Sequence, residues 1–435
     1  MMVFALKPKL ATCYLKVLAG VFAAFLLATV VATAIFDPLG LSVVLGWRPF
    51  TPTPSERYLA ALGRYPMAHG NREAKVLNSY PYQPSYAVLG SSNVWSHIDI
   101  THHQLTDPDR QYAYNFGLAG VSMFEIEHVF QHLLAVRKPE RVIIGLEFFM
   151  FNGERPLAEQ VTDYPMAHLP GVRQRLVWLM LTKVVSEENA AKVGKSLVKS
   201  IWDLLFSAAH ANTTSNAGQT SQSPAERNQK MAEMLRDVDK SQIGALYRPD
   251  VSFAFTGADG RSTFDSLAHV LEIAQLQDVE VRLYLSPHNV RTYEVIRALG
   301  LWQEYRVWMK RLAEITSEVN AGEACEDIVP LLDFGTYKAE NIESVFVPEG
   351  KQGFFPSYYD SFHFRVSVGN RLLDRLMSWR CGDVTSNEDW GTMLSVDNVD
   401  AYLQAVEQRR AEFAARHPDV VADVLEVVTK VRGGG

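Results

Sequence analysis

The chain has 435 residues, of which 47% are hydrophobic and 21% charged, and its formal net charge is −7. This composition is ordinary for a globular protein and excludes an intrinsically disordered one, and without a basic excess a nucleic-acid partner is not expected. The three cysteines, Cys13, Cys325 and Cys381, form no CxxC spacing. They argue against a structural zinc site and leave at most one disulfide, Cys325–Cys381, outside the apolar N-terminus.

The N-terminal region contains an uncharged apolar segment of 20 residues, Val17–Phe36. This length is enough to cross a hydrocarbon core of about 30 Å, so we predict a transmembrane anchor over residues 17–36. Three lysines precede the segment and the first charge after it is Asp37. This asymmetry predicts that residues 1–16 are cytoplasmic and that the main domain lies beyond the membrane. The alternative is a cleaved signal peptide, because Ala32-Thr33-Ala34 is typical of a cleavage site.

Apolar runs and helical periodicity alternate after a predicted connector, residues 37–80. The predicted strands are Tyr86–Gly90, Arg141–Leu146, Val279–Leu285 and Ile328–Phe334. The predicted helices are Val121–Val136, Thr263–Gln277, Val290–Ser317 and Val366–Trp379. Strands that alternate with helices in this way indicate an α/β domain with a doubly wound parallel sheet, here over residues 81–383. In such sheets ligands bind beyond the carboxyl ends of the strands.

A long insertion, residues 151–260, separates the second and third predicted strands. It contains apolar helical stretches at Val172–Val185 and Val193–Ala209. Two interpretations stay open: a lid or substrate wall at the binding edge of the sheet, or a helical layer that only covers the sheet. Residues 384–435 form a predicted helical tail with helices at Val399–Arg416 and Val420–Val431.

Two short motifs, 270 residues apart, place a hydroxyl, an acid and an imidazole after strands of this sheet. Gly90-Ser91-Ser92 follows the first strand, and Asp360-Ser361-Phe362-His363 precedes the helix that begins near Val366. We expect Ser92 to lie in a loop over the strand edge and Asp360 to orient His363, whose other ring nitrogen takes a serine proton. The alternative is that the serines and the histidine only cap helices or pack in the core.

Other polar residues fall near the same edge. The glycine-rich segment around Asn115 and Gly117 could supply an amide and a backbone N–H to a developing oxyanion, or it could be a loop whose asparagine caps the next helix. His288 ends the third predicted strand and is a candidate for substrate contact, and Glu147 ends the second. We treat three further histidines as surface residues and expect no metal site; they are His97, His102 and His103.

The motifs resemble those of the SGNH hydrolase superfamily, with a flavodoxin-like sheet. The resemblance is closest to its membrane-anchored bacterial branch, which includes O-acetyltransferases of alginate and other exopolysaccharides and the D-alanine-transfer protein of teichoic acid synthesis. It implies that Ser92 is the nucleophile, His363 the general base and Asp360 its orienting acid. Ser92 and Gly117 would supply oxyanion N–H groups. Asn93, a further candidate for contact with the oxyanion or the substrate, stands where many relatives carry arginine, and Gly145-Leu146-Glu147 replaces the usual Gly-x-Asn.

From this resemblance we expect a single-pass protein of the bacterial inner membrane whose periplasmic domain transfers or removes an acyl group, in particular acetyl, on a surface or secreted polysaccharide. Its expected partners are the polysaccharide and an acyl donor or acyl-export membrane protein, and no cofactor is expected. Aromatic residues 354–359 would then stack on a sugar ring or shield the acyl group. Two alternatives stay open: an inactive scaffold of an envelope polysaccharide complex, and a general periplasmic esterase.

Overall fold

The computed structural model of the protein describes residues 72–106, 112–155, 160–172, 174–176, 224–247, 252–342, 357–383, 385–386 and 389–433, with isolated positions between 16 and 62. Most of the predicted anchor, residues 17–36, lies outside these residues, as do most of the connector and nearly all of the two helical stretches predicted within 172–209. Within the described part, no helix is both long and apolar enough to cross a membrane.

A mixed sheet of six strands lies at the centre of the fold. The strands are β1 (Tyr86–Gly90), β2 (Tyr114–Gly117), β3 (Arg141–Leu146), β4 (Glu280–Leu285), β5 (Leu331–Asp333) and β6 (Thr392–Met393), in the spatial order β2-β1-β3-β4-β5-β6. Strands β1 to β5 are parallel. The α/β class is therefore confirmed, but an entirely parallel sheet is wrong, because β6 pairs antiparallel with β5.

The parallel strands are buried on both faces because their apolar runs are continuous. Successive side chains alternate between two separate apolar clusters: Leu89 and Ile144 belong to one, whereas Val88, Ile143 and Tyr284 belong to the other. Helices cover both faces of the sheet, as the doubly wound pattern requires. The register also aligns the strand ends, with Gly90 beside Gly117 and Leu146 beside Leu285.

Most of the helices occur where the periodicity predicts them. They are α1 (Arg72–Tyr82), α2 (Ser92–His97), α3 (Met123–Val136), α4 (Pro224–Gln242), α5 (Thr263–Leu276), α6 (Val290–Ala298), α7 (Trp302–Val319), α8 (Val366–Ser378), α9 (Val399–Arg416) and α10 (Pro418–Gly433). The segment predicted as one helix from Val290 is two helices, α6 and α7, because Gly300 turns the chain between them at φ +77°. The helices α1, α2 and α4 were not predicted.

The C-terminal segment packs on the central sheet. Tyr402 and Val406 of α9 and Val427 of α10 belong to the larger apolar cluster, and β6 extends the sheet by one strand. A disulfide joins Cys325, before β5, to Cys381, after α8. This is the one disulfide that the sequence allows outside the apolar N-terminal segment.

Gly117, at the end of β2, allows α2 to approach the sheet closely. A β-carbon at position 117 would lie 2.2 Å from the backbone nitrogen of Trp95 and 2.9 Å from the carbonyl oxygen of Ser91. Both are backbone atoms, so they can yield only if α2 itself moves. A residue without a side chain is therefore required here.

We predict that Gly117→Ala lowers the free energy of unfolding by about 3 kcal/mol or more, because the added methyl group overpacks against backbone. The matched control is Gly244→Ala, where a β-carbon meets nothing within 4 Å and a change within about 1 kcal/mol is expected. Urea unfolding of both variants measures the difference. Equal stability of the two would contradict the close approach.

Candidate active site

The Ser91-Ser92 pair lies at the turn from β1 into α2. Ser91 is the N-cap of α2, where its hydroxyl accepts the backbone N–H of Asn93, and Ser92 is the first helical residue. The prediction that this pair opens a loop is therefore wrong. Gly90 makes the sharp turn possible, because it has φ +153° and a β-carbon there would lie 2.6 Å from the Val94 side chain. The turn places Ser92 at the carboxyl edge of the sheet.

Asp360 and His363 lie on a small hairpin that follows β5 along the chain. The backbone N–H of Tyr359 donates to the carbonyl oxygen of His363 at 2.8 Å. Oδ1 of Asp360 accepts the backbone N–H groups of Phe362 at 2.8 Å and of His363 at 2.7 Å. These bonds fix the carboxylate relative to the ring that follows it.

The structure brings Ser92, His363 and Asp360 together in one hydrogen-bonded chain. The Ser92 hydroxyl lies 3.0 Å from Nε2 of His363, and Nδ1 of His363 lies 2.8 Å from Oδ2 of Asp360. An ionised carboxylate can only accept, so Nδ1 carries the ring proton and Nε2 of the neutral imidazole accepts from the serine. This arrangement can move a proton from the hydroxyl to the ring.

The charges around His363 favour its protonated form. Burial lowers the pKa of His363, but the hydrogen bond and charge of Asp360, with the charge of Glu147, outweigh burial and raise the pKa above its ordinary value of 6.5. Burial conversely raises the pKa of Asp360, but its hydrogen bonds from His363 and Phe362 dominate and lower it. Asp360 therefore stabilises the imidazolium that proton transfer creates.

The buried carboxylate of Glu147 connects the serine turn to two neighbouring strands. Glu147 follows β3 and is 2% exposed. Its Oε1 accepts the hydroxyl of Ser91, the side-chain amide of Asn93 at 3.3 Å and the hydroxyl of Ser286 at 3.3 Å. Its Oε2 lies 3.5 Å from Nε2 of His288. One carboxylate thus fixes the turn before Ser92 to the ends of β3 and β4.

Asn93 and His288 hold the hairpin of Asp360 and His363 against this assembly. The amide of Asn93 donates to the carbonyl oxygen of Phe362 at 3.3 Å, and Nδ1 of His288 donates to the same oxygen at 3.0 Å. The His288 ring also stacks on Phe362, with centroids 4.3 Å apart. Both residues are buried and lie beneath the site, which is contrary to the substrate contact predicted for them.

Asn115 and Gly117 are likewise occupied within the fold. The Asn115 amide donates to the carbonyl oxygen of Val94 at 2.8 Å, and its Oδ1 accepts the N–H of Gly117 at 3.0 Å and the Lys75 ammonium at 3.2 Å. Asn115 therefore ties β2 to α2. The oxyanion role predicted for these two residues is not supported, because both donors already have acceptors.

A cavity of about 730 Å³ opens over Ser92, His363 and Asp360. Its volume is within the range of small-molecule sites. Part of its wall comes from the predicted insertion, including Arg155 and Leu246. Leu246 lies in a π-helical turn, Ile243–Tyr247, a feature frequent at functional sites.

Sequence reasoning missed several polar residues of the cavity wall, among them Arg72, His97 and Arg155. His97 is 8% exposed, so its assignment to the surface is wrong. Its ring centroid lies 5.4 Å from that of His363. Burial and the nearby His363 lower the pKa of His97 to about 4, against a smaller opposite effect of Asp360. His97 is thus a neutral neighbour of the His363 ring at physiological pH.

Aromatic side chains also line the cavity, among them Trp95 and Tyr359. Tyr359 belongs to the predicted aromatic wall, whereas its neighbour Tyr358 is 1% exposed and packs in the core. Positions 354–356 of that wall lie outside the described residues.

Outside the cavity, Asp374 lies beside His102 and His103, and their potential metal-ligating atoms are within 4.8 Å of one another. Nδ1 of His102 accepts the backbone N–H of Gln104 at 3.3 Å, so its Nε2 carries the proton and donates to Asp374 at 3.2 Å. An ordinary hydrogen bond accounts for this contact.

Comparison of the chain with protein-family models and with curated proteins finds no match.

We predict that the pKa of His363, followed by NMR titration, lies above 6.5 in the unmodified protein and falls in Asp360→Asn, because burial then acts without the main opposing charge. The matched control is Asp374→Asn, which removes a carboxylate 3.2 Å from His102 and should leave the His363 titration unchanged. An unchanged pKa in Asp360→Asn would contradict the assigned electrostatics.

Proposed function

We propose that this protein is a serine-dependent acyltransferase or esterase of the SGNH type. The observation that carries this proposal is the hydrogen-bonded chain of Ser92, His363 and Asp360 on the wall of one cavity. A serine activated by a base, which a third group orients, is the arrangement that acyl transfer requires. The spatial order of β1 to β5 supports a flavodoxin-like version of the fold.

In the first half-reaction, the Ser92 hydroxyl attacks the carbonyl carbon of an ester while Nε2 of His363 takes its proton. The tetrahedral intermediate then expels the alcohol, to which His363 returns the proton, and the acyl group remains on Ser92. In the second half-reaction, a sugar hydroxyl or water attacks the acyl-enzyme and gives its proton to His363. The Ser92 hydroxyl is then restored and the new ester or acid leaves.

The oxyanion of each intermediate needs a hydrogen-bond donor. We assign the backbone N–H of Ser92, which lies in the first turn of α2 and has no acceptor within its own helix. With Asn115 and Gly117 occupied, the site has fewer donors than the resemblance implies. Loss of one such donor typically costs about 10²–10³-fold in turnover, so we expect modest rates.

Further features support a polysaccharide substrate and a periplasmic location. The aromatic cavity residues Trp95 and Tyr359 suit stacking on a sugar ring. The disulfide Cys325–Cys381 is of a kind that persists in oxidising compartments such as the periplasm. With the apolar segment Val17–Phe36, these features favour an anchored periplasmic enzyme that acts on an envelope or secreted polysaccharide and receives acyl groups from a membrane partner.

A second candidate is a scaffold that retains the fold without turnover. The observation in its favour is that Glu147, a buried anion, stands where relatives carry an amide donor. The two functions differ in whether Ser92 becomes acylated.

We predict that the full-length protein, purified in detergent and treated with p-nitrophenyl acetate, carries one acetyl group on Ser92 by peptide mass spectrometry. Ser92→Ala should lose that label and reduce hydrolysis by about 10³-fold or more. Activity should rise with pH through the raised pKa of His363, because only the neutral ring acts as a base.

The matched control is Ser96→Ala, which removes another hydroxyl from the same cavity wall and should retain labelling. Thermal unfolding would verify that both variants fold. Folded wild-type protein without a label on Ser92 would favour the scaffold, and turnover that is indifferent to sugar acceptors would favour a general esterase.

A further inference from the structure

Arg155 is a buried cation on the cavity wall. It is 8% exposed, and its Nη2 donates to the carbonyl oxygens of Gly120 at 2.7 Å and Val121 at 3.0 Å. Its guanidinium carbon lies 5.2 Å from the ring centroid of Phe149, which also lines the cavity. The group is thus held in a fixed orientation on the wall of the cavity that Ser92 also lines.

The charge of Arg155 has no ion-pair partner among the described residues. The contrast is with Arg72 on the same wall, which pairs with both oxygens of Glu125 at 2.7 and 3.2 Å. Within the described part, Nη1 of Arg155 makes no hydrogen bond, and its Nε is buried without an acceptor. Burial lowers the pKa of Arg155 to about 10, with Glu125 raising it and Arg72 lowering it, so the guanidinium stays charged at neutral pH.

The remaining charges of the cavity do not neutralise Arg155. Glu125 is shared with Arg72, and Asp360 is engaged by His363. Two guanidinium groups therefore face one carboxylate at this part of the wall. Removing a cation from water without a counterion is costly, and a bound anion would offset that cost.

We propose that Arg155, supported by Arg72, binds a carboxylate group on the substrate next to the ester that Ser92 attacks. Hydrogen bonds from a guanidinium to a carboxylate are charge-assisted and strong, and the N–H groups of Nη1 are the donors left unused. This inference rests on the proposed function for the identity of the substrate, but the binding of the anion does not. The carboxylate belongs either to an acidic sugar of the acceptor or to a dicarboxylic acyl group.

The test measures binding of trigalacturonate, its methyl ester and the neutral trisaccharide maltotriose to full-length Ser92→Ala protein at low salt, by calorimetry. We expect trigalacturonate to bind at least ten-fold more tightly than the other two. Arg155→Gln should remove this preference. The matched control is Arg261→Gln, an exposed arginine over the Phe124 ring at 4.9 Å, and it should keep the preference.

The second arm of the test asks whether the carboxylate belongs to the acyl group. It compares kcat/KM for p-nitrophenyl hemisuccinate and p-nitrophenyl butyrate in the protein with intact Ser92. A preference of at least ten-fold for the hemisuccinate, lost in Arg155→Gln, would place the carboxylate on the acyl group and support the proposal equally. If Arg155→Gln fails to fold, Arg155→Lys is measured instead, and at least three-fold weaker recognition of the anion is expected because the Nη1 donors are lost.

The proposal is overturned if neither arm shows a preference for the anion, or if folded Arg155 variants keep it undiminished. A preference that depends on Arg155 without acylation of Ser92 would leave this inference standing and overturn the proposed function. Acylation of Ser92 without any preference for the anion would support the proposed function and overturn this inference.

Discussion

The geometry of the candidate site depends on the buried carboxylate of Glu147. It accepts hydrogen bonds from the turn that carries the serine and from the end of β4, and it lies beside the imidazole of His288. His288 in turn donates to the hairpin of the acid and the base. Burying a carboxylate is costly unless it accepts hydrogen bonds, and the donors to its Oε1 come from the serine turn and from the end of β4. The 3.0 Å contact between Ser92 and His363 joins the two elements that these hydrogen bonds hold.

The cavity wall has two separate origins. Ser92 stands at the end of the parallel strand β1, at the carboxyl edge of the sheet, and the hairpin of Asp360 and His363 is held against it by hydrogen bonds. Arg155 and the π-helical turn at Ile243–Tyr247 come instead from the segment between β3 and β4. Selectivity for a ligand can therefore change through this segment while the proton-transfer chain stays in place.

The sequence predicted what continuous apolar runs and helical periodicity encode: four of the strands and most of the helices. It missed β2, because Tyr114–Gly117 is only four residues long and contains a polar and a flexible residue, and it missed β6, which has only two residues. The set of Ser92, His363 and Asp360 could be predicted from the sequence, because each residue stands in a motif that follows a strand along the chain. The hydrogen-bond partners of Asn115 and His288 and the burial of Arg155 could not be predicted from the sequence, because they result from contacts between distant elements.

The hairpin that carries Asp360 and His363 makes the acid and the base one local unit. Their pairing spans three residues and is reinforced by backbone donors of the same turn, whereas the contact with Ser92 joins residues 271 positions apart. A displacement of this turn would thus disconnect the hydroxyl while leaving the charge-stabilised ring intact. The serine would then lose its proton acceptor, while the acid and the ring stay paired.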